Sequence, residues 1–298
     1  MLPSPASGPP AGPHADTEFH LLDLGDGRQL ARLGSLVVDR PYPAAVGPPG
    51  NASAWSAADL RFERDRLGEG EWSAAGEVPA SWQMRHDDLV FELRPTPSGQ
   101  VGFFPEQIEP WAWLAPIVAA MPGARVINLF AYTGGSTLVA SRAGAAVTHV
   151  DAARSSVAWA RRNAELSGLS AAPIRWIVDD ALDFARRELR RGRRYDGIIL
   201  DPPSYGHGPA GQRWTLQEHL IVLLDVCVAL LEPEPLFVLL TAHAEGLAAE
   251  DLAAALAGAF ARAGRVTPSA GISSGNLSLH AESGRSAPAG VLVRWQRQ

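Results

Sequence analysis

Apolar stretches alternate with amphipathic, helix-like stretches over the second half of this chain, and that alternation restricts its fold more than any other feature. The candidate strands are RVINLF (125–130), AVTHVD (146–151), IRWIVD (174–179), DGIILD (196–201) and PLFVLLT (235–241), with two more near 271–280 and 290–296. Helices are predicted around 135–144, 153–167, 180–191, 215–231 and 247–263. This order predicts an α/β fold in which a parallel sheet carries helices on both faces, with ligands bound beyond the carboxyl ends of the strands.

The N-terminal third of the chain has a different pattern. Residues 1–16 are rich in Pro, Gly and Ala, which predicts a disordered tail. Residues 17–100 contain short alternating stretches separated by Gly and Pro, which predicts a small β-rich accessory module. Residues 101–298 are then expected to form the larger α/β domain.

Composition excludes several classes of protein. No apolar run approaches the length of a membrane span and the N-terminus lacks the features of a signal peptide, so we expect a cytoplasmic protein without a membrane partner. The single cysteine, Cys227, excludes an intramolecular disulfide and a cysteine-based metal cluster, and we expect no metal. All basic residues are arginine, which excludes Schiff-base chemistry and a P-loop lysine. The net charge of −6 gives no overall attraction to nucleic acid, so such a substrate would need a local arginine patch.

Glycine and aspartate follow four successive predicted strands: Gly134 and Gly135, then Asp151, then Asp180, then Asp201. The glycine pair lets the backbone turn close to a ligand, and an acid about 20 residues further on is placed to accept both hydroxyls of a ribose. The acid after the third strand could accept a hydrogen bond from an adenine amine. Asp151 and Asp180 could equally be helix N-caps, and capping and binding are compatible. The GxGxxG fingerprint is absent, so a nicotinamide cofactor loses its main support.

The fourth strand runs into IILDPPSYGHGP (198–209). Pro202 and Pro203 fix their own backbone angles and disfavour helix before them, so the segment is predicted to be a buried strand that ends in a rigid, exposed loop. Such a loop would hold Asp201 and Tyr205 at defined angles, and loops positioned in this way are commonly functional sites.

The segments NLFAYTGGSTLVA, THVDAARSSVAWARRNAELSGL, WIVDDALDF and IILDPPSYGHGP resemble the successive motifs of class I S-adenosylmethionine-dependent methyltransferases. More narrowly, they are similar to a bacterial family whose members modify large-subunit ribosomal RNA and include a cytosine-C5 methyltransferase. GFFPEQIEPW (102–111) is similar to the start of that family's catalytic domain, and the similarity covers roughly residues 80 to 245. The resemblance implies a Rossmann-like sheet with an antiparallel last strand.

The resemblance also implies roles for individual residues. Asp151 would hold the ribose of S-adenosylmethionine, Asp180 the adenine amine, and Asp201 would lie near the sulfonium and its methyl group. Glu106 and Gln107 would close the pocket from the N-terminal side. The methionine part of the cofactor would lie against Tyr132, Thr133, Gly134 and Gly135.

The chain departs from the cytosine-C5 pattern. Methylation at C5 of a pyrimidine needs a cysteine nucleophile, which we would expect just after the fifth strand, where this sequence has LTAH (240–243). Cys227 lies in an apolar helical stretch and is predicted to be packed in the core. We therefore expect direct methyl transfer without a cysteine adduct, for example to a nitrogen atom. Asp201, Pro202, Pro203 and Tyr205 form the candidate catalytic set, with Tyr205 as a stacking platform and Asp201 as a hydrogen-bond acceptor.

Other assignments stay open. His207 and His243 could be general bases or could anchor backbone. Arg213 and Trp214, or tryptophans of the accessory module, could contact unstacked bases. RNA, and ribosomal RNA in particular, is the expected substrate. The alternatives are a small-molecule or protein acceptor, or a nucleotide-binding module without catalysis.

Overall fold

The computed structural model describes residues 18–64, 70–208, 211, 213–244, 246–265 and 271–297. The tail predicted at residues 1–16 lies outside these ranges. Within these ranges the N-terminal part contains seven strands: β1 Phe19–Gly25, β2 Arg28–Leu33, β3 Leu36–Pro41, β4 Leu60–Arg64, β5 Gly70–Ala74, β6 Trp82–His86 and β7 Leu89–Leu93. β1 to β5 form one sheet in chain order, and β6 pairs with β7 as a separate hairpin. A β-rich N-terminal region was predicted from the sequence, but its strand pairing was not.

The described residues of the C-terminal part contain nine strands: β8 Arg125–Leu129, β9 Ala146–Asp151, β10 Ile174–Val178, β11 Gly197–Leu200, β12 Tyr205–His207, β13 Arg213–Thr215, β14 Phe237–Ala242, β15 Ile272–His280 and β16 Ser286–Gln296. Seven of them form one sheet in the order β10-β9-β8-β11-β14-β16-β15. β8 to β11 and β14 pair in parallel, whereas β16 runs antiparallel to β14. The predicted Rossmann-like sheet with an antiparallel last strand is therefore confirmed. β12 and β13 form a small hairpin that was not predicted.

In the part of the chain that the structure describes, six α-helices accompany this sheet: α1 Ile108–Ala119, α2 Gly135–Arg142, α3 Arg154–Leu166, α4 Ala181–Arg190, α5 Leu216–Leu230 and α6 Ala249–Arg262. They divide between the two faces of the sheet, because buried residues of α1 to α3 and of α4 to α6 belong to two different apolar clusters. Neighbouring strand residues alternate between the clusters, as Val126 and Ile127 do. Such continuously apolar strands are typical of a parallel sheet covered on both faces.

The N-terminal β-sheet packs directly on the larger sheet and shares one of its two apolar clusters. The buried Asp23 carboxylate contributes to this contact, since it accepts a 2.6 Å hydrogen bond from the Ser283 hydroxyl of the β15–β16 turn. Within the N-terminal region it also accepts from the amides of Gly50 and Asn51 and from the Trp55 indole. Burial raises the pKa of Asp23, but the hydrogen bonds from Ser283 and the other donors outweigh it and lower that pKa to about 2. None of the helices in the described ranges is long and apolar enough to cross a membrane.

Candidate functional site

A cavity of about 1300 Å³ opens beyond the carboxyl ends of the parallel strands. Among the residues named from the sequence as site candidates, Tyr132, Asp151, Asp180, Asp201 and Pro203 line its wall. Cavities that hold a single small molecule are commonly about 300 to 1000 Å³. This one therefore has room for a cofactor and part of a second molecule. Within the described ranges, no group of three or more His, Cys, Asp or Glu side chains has a metal-binding arrangement.

The loop between β8 and α2 has a strained backbone where it reaches the cavity. Phe130 and Tyr132 have φ angles of 59° and 46°, a region that bulky side chains seldom adopt. The Tyr132 amide donates a 2.8 Å hydrogen bond to Oδ2 of Asp151 at the end of the next strand. This bond fixes the strained loop against β9, so the loop and the acid form one unit.

Thr133, Gly134 and Gly135 lie behind the cavity wall. The Thr133 side chain is buried and donates its hydroxyl to the carbonyl of Gly102. Gly134 has a φ of 89° at the N-cap of α2, a conformation that favours glycine. A Cβ atom on Gly135 would come within 2.3 Å of the Trp111 ring. These residues let the loop pack tightly, while Phe130 and Tyr132 of the same loop line the cavity.

Asp151 and Asp180 point into the cavity from the ends of β9 and β10. The Oδ1 atom of Asp151 accepts a 2.9 Å hydrogen bond from the Ala153 amide, so each of its oxygens has one backbone donor. Burial raises the pKa of Asp151, and the Ala153 and Tyr132 amides oppose that shift. Asp180 is the N-cap of α4 and accepts a 2.9 Å hydrogen bond from the Asp183 amide. Capping and a position on the cavity wall are thus combined in the same residue.

Asp201 is held by side chains from other parts of the chain. Its Oδ1 atom accepts hydrogen bonds from the Thr241 hydroxyl at 2.7 Å and from Nε2 of His243 at 3.1 Å. Its Oδ2 atom accepts a 3.2 Å bond from Nε2 of Gln107, which also donates to Thr241. A carboxylate has about four acceptor sites. Asp201 therefore keeps capacity for one further donor inside the cavity.

Gln107 is buried behind Asp201 and does not line the cavity. Its neighbour Glu106 does line it, and burial raises the pKa of Glu106 while the charge of His243 opposes that shift. The sequence predicted that both residues would close the pocket. The structure places Glu106 on the wall and makes Gln107 a support for Asp201.

His243 is held between two acceptors. Nδ1 lies 2.8 Å from the carbonyl of Ala289, and Nε2 faces the Asp201 carboxylate. A peptide carbonyl and an ionised carboxylate can only accept, so this arrangement favours a ring with a proton on each nitrogen. Burial lowers the pKa of His243, but the hydrogen bond and charge of Asp201 outweigh it and raise that pKa to about 9. In this state His243 has no lone pair with which to act as a general base.

Tyr205 lies outside the cavity wall. The residue is 56% exposed, and its hydroxyl lies 2.9 Å from Nε2 of His207 on the same β12–β13 hairpin. Pro202 is buried beneath the loop, whereas Pro203 lines the cavity. The aromatic side chain that the hairpin does place on the wall is Trp214, whose indole donates a 2.8 Å hydrogen bond to the Pro203 carbonyl. The structure thus separates Tyr205 from the residues with which the sequence grouped it.

Trp214 is 5% exposed and packs against Phe130, with ring centroids 4.8 Å apart, while Arg213 beside it is exposed. The tryptophans of the N-terminal sheet and hairpin mainly support the fold. Trp72 donates to the carbonyl of Thr96 and Trp82 to that of Leu33. They offer little surface to a nucleic acid.

Sequence reasoning missed two parts of the wall. Tyr42, Pro43 and Ala44, which follow β3, line one side, and residues of the β15–β16 pair line another. The Tyr42 hydroxyl joins the two through a 2.7 Å hydrogen bond to the carbonyl of Pro288. A Cβ atom on Gly290 would come within 2.6 Å of Nδ1 of His243. Such contacts between distant segments leave no periodic signal in the sequence.

A family model for S-adenosylmethionine-dependent methyltransferases matches residues 49–233, more than half of the chain. The chain belongs to this family. The strand-end motifs predicted an S-adenosylmethionine-dependent methyltransferase, and this prediction is confirmed. A solved SAM-dependent methyltransferase from Agrobacterium tumefaciens is 37% identical, superposes with a TM-score of 0.87, and the match covers 94% of this chain and 91% of that one. A methyltransferase structure complexed with SAH has the same fold, with a TM-score of 0.73 at 19% identity over 94% of this chain and 76% of that one.

Two curated relatives have names that specify ribosomal RNA. Ribosomal RNA large subunit methyltransferase K of Neisseria meningitidis is 37% identical over 86 residues, which are 28% of this chain and 24% of that protein. Ribosomal RNA large subunit methyltransferase I of Aeromonas salmonicida is 38% identical over 87 residues, 29% of this chain and 22% of that protein. The chain thus matches less than a quarter of the length of either relative.

Proposed function

We propose that this protein transfers a methyl group from S-adenosylmethionine to a base of RNA, with ribosomal RNA as the expected substrate. The observation that carries the proposal is that one cavity has both strand-end acids, Asp151 and Asp180, and the Asp201-Pro-Pro loop on its wall. The names of the curated relatives support ribosomal RNA as the acceptor. A ribosomal substrate would place the activity in the cytoplasm.

The residues present suit this cofactor. Each Asp151 oxygen has one backbone donor and keeps acceptor capacity for a ribose hydroxyl. Asp180 accepts through Oδ1 at the helix cap, which leaves Oδ2 for an adenine amine. The strained turn at Tyr132 would border the methionine end, with Thr133, Gly134 and Gly135 shaping it from behind.

The bound cofactor would supply an electrophilic methyl group on a sulfonium. That methyl group would be accepted by a nitrogen lone pair of the substrate, with the electrons of the carbon–sulfur bond left on sulfur. Asp201 would accept a hydrogen bond from the acceptor's amine and hold its lone pair toward the methyl group, and the proton released from nitrogen leaves to solvent. This reaction depends mainly on positioning, and Gln107, Thr241 and His243 hold the Asp201 carboxylate.

A covalent cysteine mechanism finds no support in the geometry. Cys227 is 1% exposed within α5, is absent from the cavity wall, and burial raises its pKa to about 12. A thiol in that state is neither accessible nor ionised at neutral pH. The transfer is therefore proposed to be direct.

Tyr205 then has a different proposed role from the one suggested by the sequence. Its exposed ring sits on the hairpin whose other residues, Ser204, Gly206 and His207, line the cavity. From there it would stack on a nucleotide next to the one that enters the cavity, since any base offers a face for such stacking.

Transfer of labelled methyl groups tests the proposal. The purified protein is incubated with labelled S-adenosylmethionine and with ribosomal RNA, ribosomal subunits, total protein or small-molecule fractions from cells that lack it. Label in RNA whose initial rate of incorporation falls strongly with Asp201→Asn supports the proposal, and nucleoside analysis then identifies the methylated atom. Label confined to protein or small molecules overturns the RNA assignment, and cofactor binding without any transfer would indicate a binding module.

A further inference from the structure

A second, smaller cavity of about 230 Å³ lies beside the main one, between the N-terminal sheet and the segment that leads into α1. Strand β3 contributes Arg40 and the turn after β7 contributes Ser98 and Gly99. The two cavities share Tyr42, Pro43, Gln100, Phe104 and Glu106 in their walls. A group bound in the smaller cavity would therefore adjoin a ligand in the larger one.

Arg40 is the unusual residue of this cavity. It is 4% exposed, and its guanidinium has one hydrogen-bond partner among the described residues, the Gln100 side-chain oxygen at 3.2 Å. The Nε atom is buried without any partner in the described ranges. Burial lowers the pKa of Arg40 to about 10, so it remains a cation at neutral pH. A buried cation with an unpaired donor is costly, and such groups are candidates for a binding role.

The other wall residues make the cavity rich in donors. Arg64 adds a second positive charge and is oriented by its bond to the Ser98 carbonyl. The side-chain amide of Gln100 keeps its NH₂ group, because its oxygen already accepts from Arg40. Glu106 is the one acid among the described residues of this wall, and the charges of both His243 and Arg40 act on it. With Arg40 and Arg64 opposite one acid, the wall keeps an excess of positive charge. The flat, forked guanidinium of Arg40 matches two oxygens of one oxyanion.

We propose that this cavity is an oxyanion subsite that binds the phosphodiester next to the RNA nucleotide held in the main cavity, with Arg40 as its principal ligand. This rests on the proposed function for the identity of the strand. The volume suits a single tetrahedral group and is too small for a nucleoside, since pockets for small organic ligands commonly begin near about 300 Å³. The N-terminal sheet would thus contact a backbone phosphate of the substrate through the buried Arg40 side chain.

The first experiment removes the charge and keeps an unbranched, flexible side chain. Arg40→Met is compared with Arg85→Met, which removes a charge from an exposed position on β6 of the same N-terminal region. RNA affinity is measured at several salt concentrations, and S-adenosylmethionine affinity is measured by calorimetry without RNA. We expect Arg40→Met to weaken RNA binding about 10-fold. Its salt slope should fall by about 0.7 to 0.9, the value for one phosphate contact. Arg85→Met should change neither quantity.

Two outcomes of this experiment overturn the proposal. If Arg40→Met loses cofactor affinity and keeps the RNA salt slope, the oxyanion is the carboxylate of the cofactor. If both affinities are unchanged, the smaller cavity contributes to the binding of neither RNA nor S-adenosylmethionine.

A second measurement does not depend on how Arg40→Met folds. The wild-type full chain is titrated with inorganic phosphate while the Nε–H resonance of Arg40, assigned by its loss in Arg40→Lys, is followed by NMR. A saturable shift is expected, and no shift at millimolar phosphate overturns the subsite. A saturable shift in a protein that binds no RNA would keep the oxyanion subsite and reject the RNA function, so the two failures are distinguishable.

Discussion

The two sides of the main cavity are held in place by different means. Asp151 is fixed by backbone amides 19 and 2 residues away, and Asp180 by an amide 3 residues away. Asp201 is fixed by side chains 94, 40 and 42 residues away, those of Gln107, Thr241 and His243. The Asp151 side therefore depends on local backbone geometry, whereas the Asp201 side depends on how distant elements pack.

This contrast predicts how each side responds to substitution. On the Asp151 side, single side-chain changes around the acid should matter little, because the donors belong to the backbone. On the Asp201 side, each of three neighbouring side chains should matter, because each supplies one hydrogen bond. Substitution of Asp151 should reduce cofactor affinity, whereas substitution of Asp201 should reduce the rate of methyl transfer.

The largest effect is expected for Asp151→Ala, which should abolish measurable binding of S-adenosylmethionine. Two hydrogen bonds from a charged group to ribose hydroxyls are lost, at about 1.5 kcal/mol or more each, so the affinity should fall at least about 100-fold. Calorimetry with the cofactor measures this, and a thermal melt checks that the protein is still folded. Unchanged affinity in a folded variant would refute the assignment of Asp151 to the ribose.

On the Asp201 side of the cavity, Asp201→Asn should reduce kcat while leaving cofactor affinity nearly constant. One hydrogen bond to a charged group is worth about 2 kcal/mol, which corresponds to a roughly 30-fold loss in rate. Single-turnover methyl transfer measures the rate, and calorimetry measures the affinity. Loss of affinity with an unchanged rate in the bound complex would move Asp201 to the cofactor side of the comparison.

The charge of His243 gives a smaller, pH-dependent effect on stability. Its pKa is raised to about 9 in the folded protein, above the ordinary value, so its contribution is complete below about pH 6.5 and is lost as the pH rises toward about 9. Allowing for partial exposure, we expect about 1 to 2 kcal/mol, measured as the difference in unfolding free energy between wild type and His243→Gln at pH 6 and pH 10. A difference that does not change with pH would mean that the ring is neutral.

The same contrast explains what could be predicted from the sequence. The acids at strand ends were found because a parallel sheet brings the carboxyl ends of its strands to one edge. The helix α1 was missed because IEPWAWLAPIVA contains Pro110 and Pro116, which disguise a helical pattern. Gln107 was predicted to close the pocket, but its buried position behind Asp201 could not be inferred, since that position depends on β14 lying beside β11.

Tyr205 is a second residue whose side-chain position could not be predicted from the sequence. The DPPSY motif suggested that Asp201 and Tyr205 act together, because they are close in sequence. The β12–β13 pairing turns the Tyr205 ring out to solvent and brings Trp214, nine residues further along, to the wall. The direction of a side chain on a short hairpin depends on how its two strands pair. A three-residue strand is too short to give a periodic pattern in the sequence.

The smallest effect on activity is expected for Cys227→Ser, because the thiol lies on neither side of the cavity. Burying a hydroxyl in α5 would lower stability by about 1 to 3 kcal/mol, so Cys227→Ala serves as a companion variant that adds no polar group. Both variants should keep kcat within about twofold, since a fully buried thiol is not ionised at neutral pH. Loss of methyl transfer in both variants, with cofactor affinity and folding intact, would restore a thiolate mechanism and require α5 to open during the reaction.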